Sequence, residues 1–376
     1  MSKSLKEFLQ CLKSKLFQEQ FKHGPVYIVC GNSSADLDSV ASALTYAYCS
    51  YNNNPKHPII PIIGIPRLDL HLRRDIVWAL ERMNITEDML FFLEDLQHLK
   101  NEYGLLHAVL VDHNQLESGV RPYVEKVTGI IDHHKDEHLY PSADPREITK
   151  TGSCSSLVFN YWNQKLANPY SLKEVACLSL GAALIDTSNF KYKVEQSDID
   201  ASHLYSKLLL NMNEAQYYEK LRQEKDNLKG FTIQDILRKD YKEFLFETSE
   251  NNKLRVGIAS VVKPLEWFHS TFKGEECFEK ACSSAERKHE VDIFLVLTAW
   301  VNNGEFKREL ALTSTSVDKE SLLEILKYLR NKLQLELIRQ ESDGPHFFSF
   351  RQLDVAASRK QVAPTLKDAI KFIQLP

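Results

Sequence analysis

The sequence predicts an α/β protein, with a parallel sheet in its N-terminal part and a smaller α/β domain behind it. Three observations carry this. Short runs rich in Val and Ile at 26–30, 59–65, 108–111 and 127–131 alternate with stretches of helical periodicity, the pattern of strands joined by crossover helices. Several runs end directly in carboxylates or histidines, and open parallel sheets bind ligands at the carboxyl ends of their strands. The chain has 376 residues, enough for two domains, and it turns polar and charged from 191 to 230, where a linker is expected.

Composition narrows the class. A hydrophobic fraction of 43% with 26% charged residues is ordinary for a globular protein. The net charge of −4 means that any polyanion partner must be met by a local basic patch. The seven cysteines include no Cys-x-x-Cys pair and read as free thiols in a reducing compartment. No apolar run approaches the length of a membrane span, so a cytoplasmic protein is expected.

In chain order, residues 1–22 place Leu5, Phe8, Leu9, Leu12, Leu16 and Phe17 on one face, opposite lysines. With no arginine, and with Glu7 and Glu19 present, this reads as a helix packed on the first domain rather than a transit peptide. The run 26–30 ends at Gly31 and gives way to Asn32-Ser33-Ser34-Ala35-Asp36-Leu37-Asp38-Ser39. A helix follows through Val40, Ala43, Leu44 and Ala47. One aspartate would cap that helix; two, flanked by Asn32 and serines, leave polar groups in search of a cation or ligand. Next come the strand at 59–65, a helix at 72–83, a short strand at 89–93 and a strand at 108–111 that ends in Asp112-His113. The strand at 127–131 delivers Asp132, His133 and His134.

Thr151-Gly152-Ser153-Cys154-Ser155-Ser156 opens a helix; small hydroxyl residues there act as caps or as an anion cradle, which makes Ser153 a candidate substrate contact. A mostly apolar helix at 175–185 stops at Asp186, an unfavourable charge at a helix C-terminus unless a cation offsets it. Four separate turns thus present Asp36 and Asp38, Asp112, Asp132 to His134, and Asp186. Carboxylates that close stay ionised only with cations among them, as in a two-metal site. The second domain, 231–376, offers strands at 254–262, 293–300 and 347–352. Helices are expected at 322–333 and after Ser358-Arg359-Lys360. The segment 217–229 reads as a solvated helix within a 201–230 helical linker, and 1–200 as the metal-binding domain.

These motifs resemble the DHH phosphoesterase superfamily along nearly the whole chain, in the branch of family II pyrophosphatases, prune-type phosphodiesterases and fungal exopolyphosphatases. Asn32 to Ser39, Val111-Asp112, Asp132-His133-His134 and Asp186 carry the resemblance, with Ser358-Arg359-Lys360 matching the C-terminal signature. The Gly-Gly-Gly-His stretch of the nuclease branch is absent from the sequence. The resemblance implies an N-terminal parallel-sheet DHH domain, a smaller C-terminal substrate-binding domain and an active site in the cleft between them. Asp36 and Asp112 would hold one divalent cation with Asn32 beside it. Asp38, Asp112, His133 and Asp186 would hold the other, with Asp112 bridging. His134, Arg359 and Lys360 would contact phosphates, as would Lys242 by a looser match, and Asp132 would orient the site. Pyrophosphatases carry histidine where this chain has Asn32, and an amide oxygen is a harder, weaker ligand than imidazole. Mg²⁺ is thereby expected alongside Mn²⁺, with Co²⁺ as a further option. The implied activity is exopolyphosphatase, with pyrophosphatase or a silent binding module as alternatives. The implied partner is inorganic polyphosphate, bound by a monomer without nucleic acid or membrane.

Overall fold

The computed structural model describes residues 3–14, 24–249, 252–272, 275–341 and 346–371. It divides into two compact units, Met1–Asn227 and Leu228–Pro376. In the first, β1 (Val26–Cys30), β2 (Ile59–Ile63), β3 (Phe91–Phe92), β4 (Leu106–Val111), β5 (Val124–Asp132) and β6 (Arg146–Ile148) form one sheet in the order β3-β2-β1-β4-β5-β6. Every pairing is parallel. The strands read as continuous apolar runs because helices cover both faces of such a sheet; Ile28, Ile62, Leu110 and Ile130 are fully buried.

The helices of this unit are α1 (Leu5–Leu12), α2 (Leu37–Asn53), α3 (Arg74–Glu81), α4 (Leu93–Tyr103), α5 (Cys154–Lys165), α6 (Lys173–Asp186), α7 (Gln196–Leu208) and α8 (Glu214–Lys225). Ser4 and Glu7 close a capping box on α1, and Leu5, Phe8, Leu9 and Leu12 are buried; Leu16 and Phe17 lie outside the described residues. Helix α2 is buried from Leu37 to Cys49, because α5 and α6 pack against it and β2 lies beneath it. Its alanines and Ser42 admit that close approach. The short strand expected at 89–93 shrinks to two residues, and Leu93 already begins α4.

The segment expected as a helical linker packs on the first unit. Helices α7 and α8 fill most of 201–230 and pack on α5, α6 and α3 of the first unit. In α8 only Tyr217 and Leu221 are buried, one turn apart, and that narrow stripe is hidden in a highly charged composition.

The second unit holds β7 (Tyr241–Glu247), β8 (Lys253–Val261), β9 (Ile293–Thr298), β10 (Trp300–Asn302), β11 (Glu305–Ser314), β12 (Leu335–Glu341) and β13 (His346–Gln352). Their order is β12-β13-β11-β9-β8-β7, with β10 paired to β11. Only β8 and β9 pair in parallel among these. Helices α9 (Ile233–Lys239), α10 (Leu265–Thr271), α11 (Glu275–His289), α12 (Lys319–Leu333) and α13 (Arg359–Ile370) complete it. Its core joins Val256, Ile258, Leu295 and Leu310 of the sheet to Leu322, Leu329, Val362 and Leu366 of α12 and α13.

Candidate metal centre

The strand order reverses at β1 and β4, and at such a switch point a crevice opens beyond the strands' carboxyl ends. There β1 delivers Asn32, β4 delivers Asp112 and β5 delivers Asp132, His133 and His134. The turn into α2 brings Asp36 and Asp38. Gly31 permits this convergence: a Cβ on it would lie 2.5 Å from the Cβ of Ser39, so no other residue lets β1 end so close to α2.

Asp112 is almost fully buried, and its φ of +60° is left-handed, a conformation that aspartate tolerates better than most residues. Its N–H donates to the Ile131 carbonyl at 3.1 Å and to the Cys154 sulfur at 3.2 Å. Its Oδ2 accepts from Asn32 Nδ2 at 2.8 Å and from the Ser39 hydroxyl. Its Oδ1 lies 3.1 Å from His133 Nε2 and 3.8 Å from His134 Nδ1. The donor atoms of Asp112, His133 and His134 lie within 4.8 Å of one another, close enough to share a metal ion.

Asp132 sits beneath these histidines with no exposed surface. Its Oδ1 accepts from the backbone N–H groups of His133 and His134 at 2.7 and 3.2 Å and from His134 Nδ1 at 2.8 Å. Its Oδ2 accepts from Asn114 at 2.6 Å. His133 Nδ1 meets the Thr151 carbonyl at 3.1 Å, which makes Nδ1 a donor and turns Nε2 toward Asp112.

One expectation is corrected. Ser153 does not offer an anion cradle to substrate, because Asp38 already occupies the α5 N-terminus. Asp38 Oδ1 accepts from Ser153 Oγ and Ser155 N–H, and Oδ2 from Cys154 N–H, all at 2.7 Å. The helix end does bind an anion, but a carboxylate of the protein itself. Asn32 stands beside the cluster with protein partners of its own: Nδ2 donates to Asp112, and Oδ1 accepts from Ser34 N–H at 2.9 Å.

The electrostatics describe negative charge without enough counter-charge. Burial, and then the charge of Asp38, pushes Asp112 up to about 7. Burial raises Asp38, with His133 and the α5 donors pulling the other way. Asp186, the last residue of α6, is pushed well up by burial and by Asp38 and Asp36. Burial works against the His133 cation, but the Asp112 hydrogen bond and the Asp38 charge outweigh it and raise the imidazole to about 9. Asp132 differs: burial pushes it upward, yet His134 and Asn114 hold it below the ordinary range. Asp36 caps α2 through the Ser39 N–H at 3.1 Å and is one of the charges acting on Asp38, Asp112 and Asp186.

The structure thus brings together Asn32, Asp36, Asp38, Asp112, Asp132, His133, His134 and Asp186. In the second unit, Arg359 opens α13 and donates to the carbonyl and carboxylate of Asp240 at 3.1 and 2.7 Å. That sets it beside the start of β7, which carries Lys242, while Lys360 is exposed. Sequence reasoning missed Asn114 and gave Ser39, Thr151 and Ser155 no roles of their own, because their partners lie elsewhere along the chain. Among the arginines of the first unit, Arg67 pairs with Asp95 at 3.2 Å and lies over Phe92. Arg73 is buried and holds the Ser34 carbonyl at 2.9 Å.

Residues 26–182 match the DHH family, N-terminal domain, and residues 219–369 the DHHA2 domain. A Schizosaccharomyces pombe protein named "Putative exopolyphosphatase" is 34% identical over 92% of this chain and 91% of its own length. Human "Exopolyphosphatase PRUNE1" is 26% identical over 97% of this chain and 79% of its own. The "Manganese-dependent inorganic pyrophosphatase" of Methanothrix thermoacetophila is 24% identical over 92% and 98%. The crystal structure of a Methanococcus jannaschii "putative family II inorganic pyrophosphatase" shares the fold, with a TM-score of 0.60 at 18% identity over 92% of this chain and 99% of that one. The chain belongs to the DHH phosphoesterases, with a DHH domain followed by a DHHA2 domain.

Proposed function

We propose that this protein is an exopolyphosphatase that hydrolyses the terminal phosphoanhydride of inorganic polyphosphate with two divalent cations, Mg²⁺ or Mn²⁺. The observation that carries this reading is the Asp112–His133–His134 group in a chain aligned almost end to end with proteins named as exopolyphosphatases. The donor set fits such cations: carboxylate oxygens with one imidazole nitrogen suit Mn²⁺ and admit Mg²⁺. The upward shifts of Asp38, Asp112 and Asp186 are what a cation would relieve.

Asp36, Asp38, Asp112, His133 and Asp186 hold the cations, which when bound supply an activated water and neutralise phosphate charge. Asp132 fixes the His134 ring by its Nδ1 and leaves Nε2 for a phosphate oxygen. Arg359, with its planar fork, and Lys360 and Lys242 balance charge on the transferring group and the leaving chain. In this reading the enzyme acts as a cytoplasmic monomer. The test is phosphate release from long-chain polyphosphate and from pyrophosphate, with Mg²⁺, Mn²⁺ and Co²⁺ in turn. Preferential release from the long chain is expected. Dominant turnover of pyrophosphate makes the protein a pyrophosphatase, and no release with any metal makes it a binding module.

A further inference from the structure

We infer that Asp198, an aspartate outside every motif above, is a positioning residue of the metal centre, acting through the loop 151–153. It lies in the first turn of α7 with no exposed surface. Its Oδ2 accepts from Thr151 Oγ1 at 2.9 Å, Gly152 N–H at 2.8 Å and Glu195 N–H at 2.9 Å, and its Oδ1 from Ser153 N–H at 3.3 Å. The bond to Glu195 is an ordinary capping contact, which an exposed aspartate makes equally well. The other three bonds all go to the loop, and burying a carboxylate is costly unless its partners need it.

That loop touches three separate parts of the centre. The Thr151 carbonyl orients His133. The Ser153 hydroxyl holds Asp38. Gly152 lies against the turn after Asp186: a Cβ there would fall 2.5 Å from Thr187 Cγ2, 2.7 Å from the Lys193 carbonyl and 2.9 Å from Asp198 Oδ2. One buried carboxylate thus sets the segment on which His133, Asp38 and the Asp186 turn all bear. Outer partners of metal ligands typically affect metal affinity by about 10–100-fold.

The inference rests on the metal-dependent reading above, and the full-length protein with Mn²⁺ tests both. Asparagine offers one acceptor oxygen where four donors converge, so Asp198→Asn should weaken Mn²⁺ binding about 10–100-fold by calorimetry. The value of kcat on polyphosphate should return most of the way to wild type once Mn²⁺ saturates. Asp235→Asn is the control, removing a capping-box aspartate of α9; it should lower Tm and leave Mn²⁺ affinity unchanged. An Asp198→Asn protein with lower Tm but wild-type Mn²⁺ affinity overturns the inference. If that variant does not fold, Thr151→Val removes one of the loop bonds and should weaken Mn²⁺ in the same direction by less; an unchanged affinity is then the overturning result. A wild-type chain that binds no Mn²⁺ overturns the metal reading, and the inference with it.

Discussion

Asp112→Asn should make the metal-free protein more stable while nearly abolishing turnover. The ordinary carboxyl value of 3.8 rises to about 7 at Asp112. At about 1.4 kcal/mol per pH unit, keeping this carboxylate ionised in the fold costs on the order of 4 kcal/mol. The sign follows from proton counting. Between 3.8 and about 7 the native state holds a proton that the unfolded state has released, so stability falls as pH rises through that window and stays low above it. Asparagine removes the cost but also an anionic acceptor for His133, Asn32 and Ser39, and hydrogen bonds to charged groups are worth about 1.5–3 kcal/mol each. Asn32 and Ser39 share one oxygen, which the carbonyl of asparagine replaces, so only the His133 bond is lost, and a net gain of about 2 kcal/mol is expected at pH 8. For a unit of this size that is a rise in Tm of about 4–8 °C. The assay is calorimetry in EDTA at pH 8 and pH 5. At pH 5 the wild-type group is already protonated, and the gain should vanish. With saturating Mn²⁺ the order should invert, because the wild type alone keeps its full ligand set. No gain at pH 8, or an equal gain at pH 5, would refute the reasoning.

Arg359→Ala should lower kcat on polyphosphate by about 10²–10³, the usual loss for one charge-stabilising contact, without changing metal stoichiometry; unchanged kinetics would make it merely the partner of Asp240. Asn32→His should tighten Mn²⁺ binding and raise pyrophosphate turnover relative to polyphosphate, since imidazole is the stronger ligand; identical affinity and rate ratio in calorimetric and phosphate-release assays would show that position 32 does not reach the metal. Asp132→Asn should cost about 2–3 kcal/mol at neutral pH by removing an anionic acceptor. Because its carboxyl is held below the ordinary range, that difference is present above the unfolded pKa of 3.8 and fades as pH falls through the lower folded value. Acid titration of wild type and variant checks it, and parallel curves down to the lowest pH would contradict it.

The first sheet was legible because its strands are buried on both faces and stand out as unbroken apolar runs, and because its ligands sit where those runs stop. The α5 N-terminus was legible only by type. Its small hydroxyl residues announced an anion site, but the anion is Asp38, 115 positions before Ser153 in the chain, and no local pattern names that partner. The packing of α8 was hidden by composition, since Tyr217 and Leu221 are the buried residues of an otherwise charged helix. In the second unit, β7 and β11 escaped notice because their outer faces carry Lys, Arg and Glu. Strand β11 begins Glu305-Phe306-Lys307-Arg308 before its buried half.

The hydrogen bonds also decide which oxygens are left for a cation. A carboxylate oxygen offers about two lone pairs. Asp112 Oδ2 has given both to Asn32 and Ser39, and Asp38 Oδ1 has given both to Ser153 and Ser155. Each aspartate therefore faces the site with one oxygen. For Asp112 it is Oδ1, 3.1 Å from His133 Nε2; for Asp38 it is Oδ2, with one lone pair left beside the Cys154 bond and 4.0 Å from the same nitrogen. A cation held by Asp112 would thus meet Oδ1 alone unless Asn32 or Ser39 lets go. The tied oxygens hold the free ones in place before any cation arrives, which reduces the ordering required on binding. It also explains why so many of the buried bonds here end on carboxylates: they fix the direction of a charge that the protein by itself does not neutralise.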